Sequence, residues 1–346
     1  MVKSDFEKLL LRYDYELPES FIAQNPAYPR DSAKLLIYDR KSKKNLIDTF
    51  KNLGDFLPQR SVLVFNNTKV IPARIITTKP TGGKVDLLFI RKAGDELIFW
   101  ANKKLEKGIV VTAGKYFFTV VLKKDKEYFL KPSFSVNNYL QVFQEIGITP
   151  LPPYIKHTTT NEKRLRKEYQ TVFAKNEGSV AAPTASLHFT KSLMKKIQDQ
   201  GHLICFITLH VNLGTFAPLN ETHYKLQKLH EELYEIDTAT AELLNNSKQD
   251  GRKIIAIGTT VVRALESAAD SHGSIQKLNG QTNLFITEKT KLKFTDQIIT
   301  NFHVPKSSLL MLVAAFTGRQ QLFRLYKIAQ MKRFRFFSFG DGMYIK

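Results

Sequence analysis

Ile254-Ile255-Ala256-Ile257-Gly258-Thr259-Thr260-Val261-Val262-Arg263 is the stretch that decides the fold. Four consecutive apolar residues, alternately pointing to opposite sides, make a strand that is buried on both faces. Gly258 allows a sharp exit, and the residues that follow read as a helix carrying Arg263 and Glu266. A buried strand feeding a helix through small residues is the building unit of an α/β body. The same grammar recurs on either side of it. Val62-Leu63-Val64-Phe65 is a continuous apolar run closed by Asn66-Asn67-Thr68, and residues 298–303 lead through Pro305 into a helix over 308–316 that ends at Gly318. In the strand over 204–211, Phe206, Thr208 and His210 share one face while Cys205, Ile207, Leu209 and Val211 share the other. Thr190 is placed to cap a helix running through Gln200 and stopped by Gly201, and a second helix runs from Thr238 to about Lys248 before Gly251.

Between these units the pattern changes. Short β-rich runs at 85–90, 97–101, 109–112, 116–122 and 128–130 are separated by Gly- or Lys/Asp-containing turns, with Thr81-Gly82-Gly83-Lys84 as a hairpin turn. The expected fold is therefore a mixed α/β (α+β) core, residues 1–68 and 151–346, interrupted by a small antiparallel β-barrel at 69–150. Phe334-Arg335-Phe336-Phe337-Ser338-Phe339-Gly340-Asp341-Gly342-Met343 reads as two aromatic-rich half-strands around an Asp-Gly turn.

The 52 Lys and Arg against 32 Asp and Glu give a net charge of +20 over 346 residues, a balance that favours a polyanionic partner. Cys205 is the single cysteine, which excludes an intramolecular disulfide and any multi-cysteine metal site and fits a reducing compartment. The acidic N-terminal residues do not read as a signal peptide, and the apolar run 309–316 is far too short for a membrane span, so the expected location is the cytoplasm. No Gly-x-Gly-x-x-Gly, phosphate-cradling P-loop, nucleophile elbow or paired metal-ligand histidines occur, and no metal is expected.

Small residues cluster instead beside polar groups. Residues 178–190 include Thr184, Ser186 and His188 in a run of glycine, alanine and serine, where a ligand can approach the backbone and the next helix offers free N–H groups. Gly258-Thr259-Thr260 repeats that arrangement, with Arg263 close by as a partner for an acidic ligand or for a surface carboxylate. Thr208, His210, Gly214, Thr215 and Phe216 bring hydroxyl, imidazole and aromatic groups to a strand end, the usual ligand position in α/β folds. His230 with Glu231-Glu232 reads as a site segment or as a solvated helix face. Arg333 and Arg335 among aromatics combine cations with stacking surface, as RNA recognition requires, or else belong to an aromatic core strand.

Ten ordered blocks of this sequence resemble the S-adenosylmethionine:tRNA ribosyltransferase-isomerase family of queuosine biosynthesis. They include Tyr13-Asp14-Tyr15-Glu16-Leu17-Pro18, Val64-Phe65-Asn66-Asn67-Thr68, Pro72-Ala73-Arg74, residues 178–190, Thr208-Leu209-His210-Val211, Gly258-Thr259-Thr260, Thr300-Asn301-Phe302-His303 and Arg335-Phe336-Phe337-Ser338. The resemblance implies transfer of the ribosyl unit of S-adenosylmethionine to 7-aminomethyl-7-deazaguanine in a tRNA with a GUN-type anticodon. S-adenosylmethionine is then a consumed substrate, with no cofactor, and the chain acts as a monomer away from membranes. The expected catalytic residues are His188 and His210, which line the S-adenosylmethionine pocket, with Asp341 or Glu232 as acid/base. The implied binding residues are Asn67, Thr68, Arg74, Thr184, Thr208, Thr215, Phe216, Thr259, Thr260, Arg263, Asn301, His303 and Arg335, with Arg263 holding the methionine carboxylate. Ser186 and Asn212 stand where the family usually has Gly, and Gln227 stands near a usual His. These departures leave a tRNA-binding homologue without turnover as the alternative, and an S-adenosylmethionine-dependent RNA methyltransferase as a second one that no glycine loop supports.

Overall fold

The apolar runs Val62–Asn66 and Ile254–Ile257 lie side by side and parallel, Val62 opposite Ile254 and Leu63 opposite Ile255. Leu203–Leu209 extends the parallel group on one side and Gln297–Asn301 on the other. Alternation explains why these runs are apolar throughout. Val62, Val64, Ile254 and Ala256 face a core shared with the helices Thr259–Ala268 and Ser308–Thr317. Leu63, Phe65, Ile255 and Ile257 face a second core, with Phe189 and with Leu193 and Ile197 of the helix Lys191–Asp199. A parallel strand covered on both sides has no polar face to show.

The computed structural model describes residues 3–156, 161–212 and 218–346. Among them, nine strands form one mixed sheet in the order Asn279–Leu284, Lys228–Glu235, Leu203–Leu209, Val62–Asn66, Ile254–Ile257, Gln297–Asn301, Gly342–Ile345, Lys34–Tyr38, Asn45–Thr49. Antiparallel strands finish both edges. Local signals act where expected. The Thr190 hydroxyl accepts the Leu193 N–H, and Gly201, at φ +86°, lets the chain leave the helix in a left-handed turn.

Six further strands, Arg74–Thr78, Lys84–Ala93, Glu96–Ala101, Val110–Ala113, Tyr116–Lys124 and Glu127–Pro132, pair antiparallel into a closed barrel. Val85, Leu87 and Phe89 alternate inward, and Phe143 from the helix Tyr139–Ile146 packs edge-on against Phe89. The mixed helix-and-sheet core carrying a small antiparallel barrel is the fold class expected above.

Three local expectations are corrected. His230, Glu231 and Glu232 lie on the strand Lys228–Glu235, because pairing with Asn279–Leu284 overrides the charged composition of the segment. Only Gly342–Ile345 of the C-terminal aromatic segment is a strand. Phe334, Phe336, Phe337 and Phe339 are buried, so they are core side chains and offer no stacking surface to a nucleic acid.

Candidate active site

The C-terminal ends of the parallel strands open into a cavity of about 320 Å³. Its wall is assembled from segments far apart in the chain: residues 182–185, Val211, residues 258–260 and 300–307, and the pair Phe337-Ser338, closed by Tyr154. Gly258, at φ +97°, turns the chain from strand into helix, and no side chain caps the helix Thr259–Ala268 that follows. Its first-turn N–H groups therefore lack intrahelical partners at the cavity edge, a place that favours negative charge.

Thr184, Thr259, Thr260, Asn301 and His303 line this cavity. The Thr184 hydroxyl donates to Asn301 Oδ1 at 3.0 Å, which turns Asn301 Nδ2 toward the Phe337 carbonyl at 3.2 Å and His188 Nε2 at 3.3 Å. His188 itself lies behind the wall, stacked on Phe50 with ring centroids 4.1 Å apart. Burial, reinforced by the cations Arg335 and Arg30, pushes its pKa down to about 3, so the ring is neutral. His303 is also neutral: burial takes it to about 3, and its Nε2 meets the Thr300 hydroxyl at 2.8 Å.

A second polar cluster adjoins the cavity at the ends of Val62–Asn66 and Leu203–Leu209. The Thr208 hydroxyl donates to Asn67 Oδ1 at 2.8 Å, Asn176 Nδ2 donates to Thr208 at 2.6 Å, and Thr68 Oγ1 meets His210 Nδ1 at 2.9 Å. Gly178 comes so close to His210 that a β-carbon there would stand 3.0 Å from the ring. Asn66 joins the two places, donating from Nδ2 to the Leu209 carbonyl at 2.9 Å and to Thr260 Oγ1 at 3.4 Å. Partial burial holds the His210 pKa below its ordinary value.

Other residues singled out in the sequence are engaged elsewhere. Arg263 stands in the middle of its helix and pairs with Glu232, and both side chains are buried, so the acid it meets belongs to the protein. Asp341 accepts the backbone N–H groups of Lys34 at 3.0 Å and Arg335 at 2.7 Å, and the Arg335 guanidinium at 3.3 Å. Arg335 donates also to the Asn25 carbonyl. Arg74 pairs with Asp86 at 2.6 Å and donates to the Leu151 carbonyl at the root of the barrel. Thr215 and Phe216, with Gly214, lie outside the described residues. Among the described residues, no three His, Cys, Asp or Glu side chains are grouped to hold a metal ion, and no helix is long and apolar enough to cross a membrane.

Tyr154 and Lys306 line the cavity without having been read as site residues. Tyr154 shares a 2.7 Å hydrogen bond with Ser338, and burial pushes its phenol up to about 12. Its place after two prolines, Leu151-Pro152-Pro153-Tyr154, was a usable signal of a rigid approach to the core. Lys306 follows Pro305 and holds a left-handed backbone, φ +57°, a state unusual for a lysine.

A family model described as queuosine biosynthesis protein matches residues 10–345. An S-adenosylmethionine:tRNA ribosyltransferase-isomerase of Carboxydothermus hydrogenoformans is 41% identical over 338 residues, 96% of this chain and 98% of that protein. The protein of the same name from Aquifex aeolicus is 42% identical over 96% of this chain and 98% of its own. The crystal structure of an S-adenosylmethionine tRNA ribosyltransferase from Thermotoga maritima superposes with a TM-score of 0.56 and 28% identity, covering 97% of this chain and all of that one (100%).

Proposed function

Because the chain belongs to the queuosine biosynthesis protein family, we propose that it transfers and isomerises the ribosyl unit of S-adenosylmethionine onto tRNA. The acceptor is the aminomethyl group of 7-aminomethyl-7-deazaguanine at the anticodon wobble position. The products are epoxyqueuosine tRNA, adenine and methionine. The observation that carries this reading is the convergence of residues 182–185, 258–260 and 300–307 on one cavity at the strand ends. Its volume lies at the lower end of the range for small-molecule pockets, roughly 300 to 1,000 Å³. Threonine hydroxyls and one buried amide suit a neutral base and a ribose.

The reaction needs a base for the ribose C5′ proton, which the neighbouring sulfonium acidifies, and help for the departure of adenine. His210 fits the first task. It is half-buried, its pKa is held below the ordinary histidine value, and near neutral pH it is unprotonated, the form that accepts a proton. His188 serves from behind by fixing Asn301. Glu232 and Asp341 support the site through the cation and N–H groups they hold. The net charge of +20 favours the tRNA, taken here to carry a GUN-type anticodon. On this reading S-adenosylmethionine is consumed without a cofactor, and the enzyme works as a cytoplasmic monomer.

The test is incubation of the chain with S-adenosylmethionine and tRNA bearing 7-aminomethyl-7-deazaguanine, followed by mass spectrometry of the tRNA and chromatography of small products. Adenine release with the matching gain in nucleoside mass is expected. Release of S-adenosylhomocysteine, or tight tRNA binding with no adenine, would sink the reading.

A further inference from the structure

S-adenosylmethionine carries one anion, the α-carboxylate of its methionine arm, alongside two cations, the sulfonium and the ammonium. A cavity that takes it needs a positive partner for that carboxylate. Arg263 is committed to Glu232 and is absent from the wall. Among the described residues of the wall, Lys306 is the one lysine or arginine.

Its setting is built. The Lys306 N–H donates to the Tyr13 carbonyl at 2.9 Å, which ties its left-handed backbone, φ +57°, to the N-terminal segment. Two residues on, the helix Ser308–Thr317 begins, and a helix start favours negative charge. The Lys306 ammonium holds Asp14 at 2.9 Å, with the two side chains 46% and 38% exposed. A bridge that open to solvent is of the weak, screened kind, and another carboxylate can replace Asp14 in it.

We propose that Lys306 is the carboxylate anchor of the cavity, exchanging Asp14 for the α-carboxylate of S-adenosylmethionine. The assignment rests on the functional reading above. It lays the amino-acid arm along residues 303–309 and leaves the side formed by Thr184 and Thr259 for the nucleoside.

Calorimetric titration of the whole chain, without tRNA, with S-adenosylmethionine and with its decarboxylated analogue tests it. Lys306→Met is expected to weaken S-adenosylmethionine by about tenfold or more, the loss of one charge-assisted contact, and to leave the analogue within about twofold of wild type. Lys306→Arg should keep most of the affinity. Asp14→Asn, which removes the resident counter-ion, should bind S-adenosylmethionine at least as tightly as wild type, and it carries the test if Lys306→Met is poorly folded by circular dichroism. Equal losses for both compounds in Lys306→Met, no loss for either, or weaker binding in Asp14→Asn would overturn the assignment. A wild-type chain that binds neither compound, both alone and when saturated with tRNA lacking the aminomethyl acceptor, would instead refute the functional reading.

Discussion

Asn301 and His188 are joined by a 3.3 Å contact in which the amide donates to the ring Nε2, and the direction is set because Asn301 Oδ1 already accepts the Thr184 hydroxyl. One buried amide therefore links a wall residue from the 182–185 segment, the end of a parallel strand and a histidine behind the wall. Asn301→Ala leaves the His188 imidazole and the Phe337 carbonyl without this partner in a buried place, which costs about 1–3 kcal/mol of stability. The expected result in chemical denaturation is a lower midpoint with an unchanged slope, together with weaker S-adenosylmethionine binding. Unchanged binding would separate Asn301 from the ligand.

Acid sensitivity follows from the same histidines. His188 and His303 are pushed down to about 3 in the folded chain, chiefly by burial, against about 6.5 when unfolded. Below the unfolded value the unfolded chain binds protons that the folded chain refuses, so stability is full above pH 6.5 or so and declines as pH falls toward 3. Denaturation midpoints at pH 8, 6.5, 5.5 and 4.5 should show the first two alike and the last two progressively lower (roughly spaced values chosen around the free histidine pKa). His303→Gln should flatten that decline; a decline of the same steepness would mean that other groups dominate it.

Much of this arrangement was legible in the residues, for a physical reason. Parallel strands buried on both faces have to be apolar throughout, so Val62–Asn66 and Ile254–Ile257 declare themselves, and the glycines at 201, 258 and 318 mark turns that need positive φ. The partners of charged groups were not legible. Glu232 meets Arg263, and Asp341 meets the Lys34 N–H, across tertiary contacts that leave no local pattern. The helix Arg319–Met331 went unread because Gly318, taken as a terminator, also starts this second helix without a side-chain cap. His230 and Glu232 sat in a charged segment whose strand character comes from its neighbours in the sheet.

The Arg263–Glu232 pair gives a prediction with a double variant. Both side chains are buried, and burial lowers the Arg263 pKa to about 10, the mark of a cation held away from water. Removing one partner strands the other charge, so Glu232→Leu or Arg263→Met should each cost about 3–5 kcal/mol. The double variant Glu232→Leu with Arg263→Met should recover a large part of that loss, because no uncompensated charge remains. Thermal or guanidinium unfolding reads this directly. Additive losses would mean that the two side chains act independently.

Gly178 offers a way to reach His210 without altering it. The glycine holds φ +143°, which side-chain-bearing residues rarely adopt, and a β-carbon there would lie 3.0 Å from the imidazole. Gly178→Ala therefore adds about 1–3 kcal/mol of backbone strain and displaces the ring from the Thr68 hydroxyl. If His210 takes the ribose proton, single-turnover rates on the folded fraction should fall by about tenfold or more, since a small displacement of a proton acceptor is costly. If S-adenosylmethionine sits against the cavity wall, its binding should change far less. Thr68→Val, which removes the hydroxyl and keeps the glycine, should lower the same rate and shift its pH dependence. Rates that track the loss of folded protein and nothing more would take His210 out of the chemistry.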